Sequence, residues 1–187
     1  MSESSTRAQE KRESREKSMP MHYVDACTLG VEEFTDQITN ALKHGFRPTT
    51  SHLALGEAIG SELFKLRKIE EDLQATKRSS NKVESLTREM ESKTELINYI
   101  IKLAKTRMHI VGNDAPVSIL KQFLGDSGTM SLDVADALNV ATAIDAGCEK
   151  IFTTDPNFKG EKFKENTKNI SKKHSGKALE IVYKERN

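Results

Sequence analysis

Four acidic residues, Asp25, Glu57, Asp136 and Asp155, stand at the ends or beginnings of patterned segments in this 187-residue chain. Asp25 closes the β-prone run His22-Tyr23-Val24, and Asp155 closes Lys150-Ile151-Phe152-Thr153-Thr154. Glu57 lies in the first two turns of a helix that Ser51 can cap, and Asp136 lies in the second turn of an alanine-rich helix that Ser131 can cap. Ligands of open parallel sheets bind outside the carboxyl ends of the strands, and all four acids belong to that edge. Carboxylates placed together repel and raise one another's pKa, so such a cluster makes sense mainly around a divalent cation. Oxygen donors without histidine or cysteine favour Mg²⁺ or Mn²⁺. Each acid also has a plainer reading: Asp25 and Asp155-Pro156 as turn residues, Glu57 as a complement to a helix dipole. Asp136 resists that reading, because it interrupts a small, apolar face between Ala135 and Ala137. Asp133 reads as dipole complementation or support rather than as a ligand.

The elements that must position these residues alternate between strand and helix, so an α/β fold with a mainly parallel sheet is expected. After the first strand, Phe34, Ile38, Ala41 and Leu42 recur at helical spacing up to Gly45, and Phe46 to Thr50 is a short extended piece containing Pro48. From Ser51 a long helical pattern runs through Leu53, Leu55, Ala58, Ile59, Leu63, Leu66, Ile69 and Leu73. A polar break at Arg78-Ser79-Ser80-Asn81 precedes a second pattern from Val83 to Met108, so residues 61–107 read as an extended helical hairpin. Strand character returns at Met108 to Val111. Pro116 to Leu124 is a short helix stopped by Gly125, and the alanine-rich helix runs from Leu132 to Ala146. Ala178 to Tyr183 is the last strand, after a lysine-rich stretch read as a loop. Residues 1–20 are highly charged and almost devoid of apolar side chains, so a disordered tail is expected there and one domain over 21–187.

Composition removes several classes. Lys plus Arg total 29 against 28 Asp plus Glu, a net charge of +1, which marks neither a polycation nor an acidic scaffold. The charge is unevenly spread: 108–155 is acidic and 156–187 basic. Cys27 and Cys148 form no CxxC, and the five histidines show no HxxxH, so neither a disulfide framework nor a zinc site is signalled. No apolar run approaches the ~18 residues of a membrane span and no secretory leader is visible, so a cytoplasmic protein with no membrane partner is expected. A dehalogenase-type phosphatase would want DxD after the first strand, where Asp25-Ala26-Cys27 stands. A receiver domain would want a phosphoacceptor Asp after the third strand, where Val111-Gly112-Asn113 offers none.

The order Tyr23-Val24-Asp25-Ala26-Cys27, Ser51-His52-Leu53-Ala54-Leu55-Gly56-Glu57, Asp136-Ala137-Leu138-Asn139-Val140-Ala141-Thr142-Ala143 and Thr153-Thr154-Asp155-Pro156-Asn157-Phe158 resembles the PIN domain family, especially its VapC-like prokaryotic ribonucleases, over roughly residues 21 to 183. The resemblance implies a three-layer α/β/α sandwich around a parallel sheet, with Asp25, Glu57, Asp136 and Asp155 as the catalytic acids holding Mg²⁺ or Mn²⁺. It implies endoribonuclease activity and, for many members, an antitoxin partner. Thr153 matches the family's hydroxyl before the last acid, and Ser51 a frequent serine opening the Glu-bearing helix. Two departures stand out: Cys27 replaces a common Asn or Ser, and the 61–107 hairpin is longer than in the compact toxins.

On this reading the basic residues of the hairpin (Arg67, Lys68, Lys105 and Arg107, with Lys65, Arg88 and Lys102) and of the C-terminal stretch (Lys159 and Lys162, with Lys164, Lys168, Lys172 and Lys173) contact the RNA backbone. With 5% aromatic residues, shape or single-stranded accessibility outweighs base stacking in recognition. The alternatives are an RNA-processing nuclease without an antitoxin, and a catalytically silent protein- or RNA-binding module built on the hairpin. The apolar stripes of the hairpin favour packing first on each other and then on a second copy, so a homodimer is expected.

Overall fold

The structure is a computed structural model that describes residues 14, 18–29, 31–41, 43–76, 80–124 and 132–185. Strands β1 (Met21–Val24), β2 (Arg47–Ser51), β3 (His109–Val111), β4 (Lys150–Thr153) and β5 (Glu180–Tyr183) form one sheet in the order β3-β2-β1-β4-β5, with every pairing parallel. Among the described residues six α-helices connect them: α1 (Glu32–Thr39), α2 (His52–Ala75), α3 (Ser80–Thr106), α4 (Val117–Leu124), α5 (Val134–Asp145) and α6 (Glu161–Ser175). Short 3-10 turns at Ala26–Thr28 and Pro156–Phe158 follow β1 and β4.

An all-parallel sheet needs cover on both faces, and the two-residue alternation of the strands supplies apolar side chains to each. Tyr23 and Ile151 pack with Ile119, Phe123, Val140, Ile144, Phe163 and Leu179, so α4, α5 and α6 cover one face. Val24 and Phe152 pack with Phe34, Ile38, Ala58, Ile100 and Leu103, so α1, α2 and α3 cover the other. The fully buried Ala137, Ala141 and Ala143 let α5 lie close to its neighbours. The chain steps outward from β1 through β2 to β3, then returns to the far side of β1 for β4 and β5. The order therefore reverses between β1 and β4, and the crevice at their carboxyl ends is the topological switch point where such sheets bind ligands.

Helices α2 and α3 pack against each other, and Glu62 of α2 ties them through Lys93 of α3 at 3.0 Å. Residues 77–79 between them, the tail at 1–13 and 15–17, Gly125 and Ser131 lie outside the described residues. The expectations placed on them, disorder in the tail and a Ser131 cap among them, go with them. Two differences from the sequence reading have physical causes. The lysine-rich stretch expected as a loop contains α6, whose inward positions include the buried Thr167 and Ser171 alongside Phe163, so its helical period is poorly marked by hydrophobicity. The alanine-rich helix begins at Val134, and Asp133 is its N-cap, its side chain accepting from the Asp136 amide at 2.8 Å. No described helix is long and apolar enough to cross a membrane.

Candidate active site

Asp25 follows β1 directly, and its amide still bonds to the Phe152 carbonyl of β4, so the β1–β4 ladder fixes its backbone. Its side chain caps the 3-10 turn, Oδ1 accepting from the Ala26 amide at 2.9 Å. Oδ2 accepts from the Thr153 hydroxyl at 2.9 Å and from Cys27 Sγ at 3.0 Å, and Asn139 Nδ2 reaches Oδ1 at 3.4 Å. The residue is 4% exposed. Burial pushes its carboxyl above the ordinary range; the Cys27, Thr153 and Ala26 bonds work against that rise and the Asp155 charge adds to it.

Glu57 comes from α2, whose start is held by two side chains. Ser51 Oγ caps the Ala54 amide at 3.1 Å, and Asn113 Oδ1, from the turn after β3, accepts from the Leu53 amide at 3.0 Å. Glu57 Oε2 accepts from Asn139 Nδ2 at 3.2 Å, and its pKa is raised by burial and by the charges of Asp25 and Asp133. Asp136, in the first turn of α5, accepts from Asn157 Nδ2 at 3.2 Å. Burial, with Asp155, Asp133 and Asp25 adding repulsion, pushes it up to about 6. Asp155 caps the second 3-10 turn through the Asn157 amide at 2.8 Å, and its own amide bonds to Thr153 Oγ1 at 3.1 Å.

The four acids line one open cleft of about 480 Å³, at the switch point. Among the described residues none of them is paired with a lysine, arginine or histidine. Glu62, which lines the same cleft, shows the contrast: it is buried but lies against Lys65 and Lys93, which outweigh burial and hold its carboxyl below the usual range. Among the described residues no three His, Cys, Asp or Glu side chains stand close enough together to hold a metal ion as they are arranged here.

Of the expected supporting residues, Thr153 bonds to Asp25, Ser51 caps α2, and Asp133 caps α5. The basic residues scatter. Arg67 pairs with Glu71 on its own helix, Lys68 sits over the Phe64 ring, Lys159 meets Glu185, and Lys162 is exposed on α6. Lys105 and Arg107 lie at the opposite end of the sheet, beside Arg47. Lys65 and Lys93 line the acidic cleft itself.

Asn139 is the residue that the sequence reading passed over. It is 2% exposed, joins Asp25 to Glu57 through its amide nitrogen, and has its carbonyl 2.9 Å from the Tyr23 hydroxyl, which in turn lies 2.8 Å from Ser51 Oγ. Its signal was a polar amide one turn beyond Asp136, inside an otherwise buried run. Cys27 was noted only as a departure; its thiol donates to Asp25 and accepts from the Thr154 amide at 3.2 Å, and burial with the Asp25 charge pushes it up to about 11, so it stays protonated.

No protein-family model matches the chain, and no curated protein matches it.

Proposed function

We propose that the chain is a divalent-metal-dependent endoribonuclease of the PIN type, hydrolysing RNA phosphodiester bonds at the cleft lined by Asp25, Glu57, Asp136 and Asp155. One observation carries the reading: four carboxylates from four separate segments share one cleft at the switch point of a parallel sheet, with no described cationic side chain paired to any of them. A fold gains nothing by gathering unpaired carboxylates unless a cation joins them.

The donor set fits Mg²⁺ or Mn²⁺, because all four groups are hard oxygens, and Asp25, Glu57, Asp136 and Asp155 would hold the ion. When bound, the ion supplies charge neutralisation and polarisation of water and of the phosphodiester. The chain's own residues do the rest. Ala26, Thr153 and Cys27 fix Asp25 in one orientation, and Asn139 sets Glu57 against it. Burial and the charges of Asp155, Asp133 and Asp25 push Asp136 up to about 6 without a metal, a repulsion that a bound cation would offset. Lys65 and Lys93 add positive charge at the far side of the same cleft, on the path of a polyanionic backbone. Incubation with a mixed set of single-stranded and structured RNAs tests the reading: cleavage with Mn²⁺ or Mg²⁺ and none with EDTA supports it, whereas metal-independent cleavage overturns it.

A further inference from the structure

We propose that the end of the sheet opposite the acidic cleft carries a phosphate-binding site built from Arg47, Lys105, Arg107 and His109. These residues line a cavity of about 220 Å³, room for a phosphate group, and no acidic side chain lines it. Three elements bring them together: Arg47 opens β2, His109 opens β3 two strand positions further along the parallel register, and Lys105 and Arg107 flank the end of α3. Arg47 Nη2 lies 2.8 Å from His109 Nδ1. An arginine keeps its protons, so Arg47 donates and His109 accepts at Nδ1, which leaves the imidazole Nε2–H as a further donor. Burial and the Arg47 charge hold the His109 pKa low, in keeping with that neutral tautomer. Thr39 also lines the cavity.

The charges here are uncompensated. Among the described residues neither Arg47, Lys105 nor Arg107 is in an ion pair. In a cavity of about 940 Å³ beside β5, three of the four lining lysines are paired instead, Lys150 with Glu180 at 2.9 Å, Lys177 with Glu149 at 3.2 Å and Lys164 with Glu161 at 2.7 Å. The carbonyls at the end of α3 account for Lys105 and Arg107 alone, as cations at a helix C-terminus. They do not account for Arg47, which the sheet holds against His109 from another side. A cluster of a guanidinium, an imidazole N–H and two further exposed cations matches the charge and the several acceptor oxygens of a phosphate group. Ser51 stands four positions along β2 from Arg47, roughly 13 Å of strand, so this site is distinct from the cleft. The phosphate comes either from an RNA backbone or from free phosphate, and the chemistry is shared.

The full chain in EDTA, which suppresses cleavage, is titrated in two arms. One measures binding of a fluorescent single-stranded RNA against salt concentration; the other measures the melting temperature with inorganic phosphate against chloride at equal ionic strength. The Lys105→Gln/Arg107→Gln variant removes two exposed cations that have no described ion-pair partner, and the phosphate-induced shift is read against each protein's own melting temperature without phosphate, so that a lost helix-end contribution does not enter. A second pair, Lys82→Gln on α3 with Lys121→Gln on α4, both exposed and away from the cavity, controls for general charge. The proposal expects Lys105→Gln/Arg107→Gln to lose the phosphate-induced rise in melting temperature and to lower the salt slope of RNA binding by about 1.4, two single-strand contacts at about 0.7 each. Loss in both arms assigns the site to RNA phosphates; loss in the phosphate arm alone leaves the site standing with free phosphate as its ligand. No change in either arm, or equal losses in the Lys82→Gln/Lys121→Gln control, overturns it.

Discussion

Asp136 sets the sharpest residue-scale expectation, because its folded-state pKa lies near 6 while an unfolded aspartate titrates at its ordinary value of 3.8. A carboxyl whose pKa is raised on folding contributes stability that is present at low pH and lost as pH rises through the folded value. Asp25 and Glu57 are raised too, so the three act in one direction. His22 and His109, whose pKa values burial lowers, pull the other way in the same window, so the test is a difference: in EDTA the wild type is expected to gain melting temperature relative to Asp136→Asn as pH falls from 7 to 5, and addition of Mn²⁺ at pH 7 to raise the wild type by neutralising the cleft. Glu62 has the opposite sign, but its carboxyl is held below the ordinary range, so its contribution is lost only below that window. Asp136→Asn removes one repelling charge: it is expected to melt a few degrees higher than the wild type in EDTA at pH 7, corresponding to about 1 kcal/mol, and to abolish cleavage. A variant that melts lower and cleaves normally would place Asp136 among structural residues. The acids were legible in the sequence because strand ends and helix starts are where a parallel sheet presents ligands. Asn139 was not, because an amide's two donors become informative only when both carboxylates it meets are in view.

Among the elements, α2 is tied to the rest of the fold at its start through Ser51. Ser51 caps its Ala54 amide and stands 2.8 Å from the buried Tyr23 hydroxyl, which also meets Asn139, so one hydroxyl couples the start of the Glu57 helix to β1 and α5. Ser51→Ala should cost about 1 to 2 kcal/mol, read as a lower urea midpoint with unchanged slope, since it removes a cap and leaves buried partners unmatched. The same variant should lose cleavage activity beyond what its stability explains, as Glu57 and Asn139 lose their common anchor. This cap was readable, because a serine before a long apolar period is a local signal. Helix α6 was not: Thr167 and Ser171 occupy buried positions that the period assigns to apolar residues, and Ser171 satisfies its hydroxyl on the Lys177 carbonyl at 2.8 Å. Tertiary contact made these polar residues interior, and no pattern along the chain announces that.

For the whole molecule, the alternation of strands and helices was enough to expect a parallel α/β sheet, and the strand order that creates the switch point emerged only with the fold. The apolar periods of α2 and α3 marked a packing face without showing which positions stay uncovered. Leu63 is 49% and Phe64 61% exposed on α2, with Val83 exposed on α3, more apolar surface than the pairing of the two helices consumes. We expect a homodimer through these helices: light scattering at micromolar concentration should give twice the mass of the chain, and Phe64→Ser should return it to a monomer. A monomeric wild type would contradict this. The central claim is tested most directly by comparing the wild type with Asp25→Asn on a mixed RNA set, in Mn²⁺, in Mg²⁺ and in EDTA, with both proteins shown to be folded. The account predicts cleavage by the wild type in at least one metal, and none in EDTA or by Asp25→Asn. Equal cleavage by the two proteins, or none by the folded wild type in either metal, would contradict it.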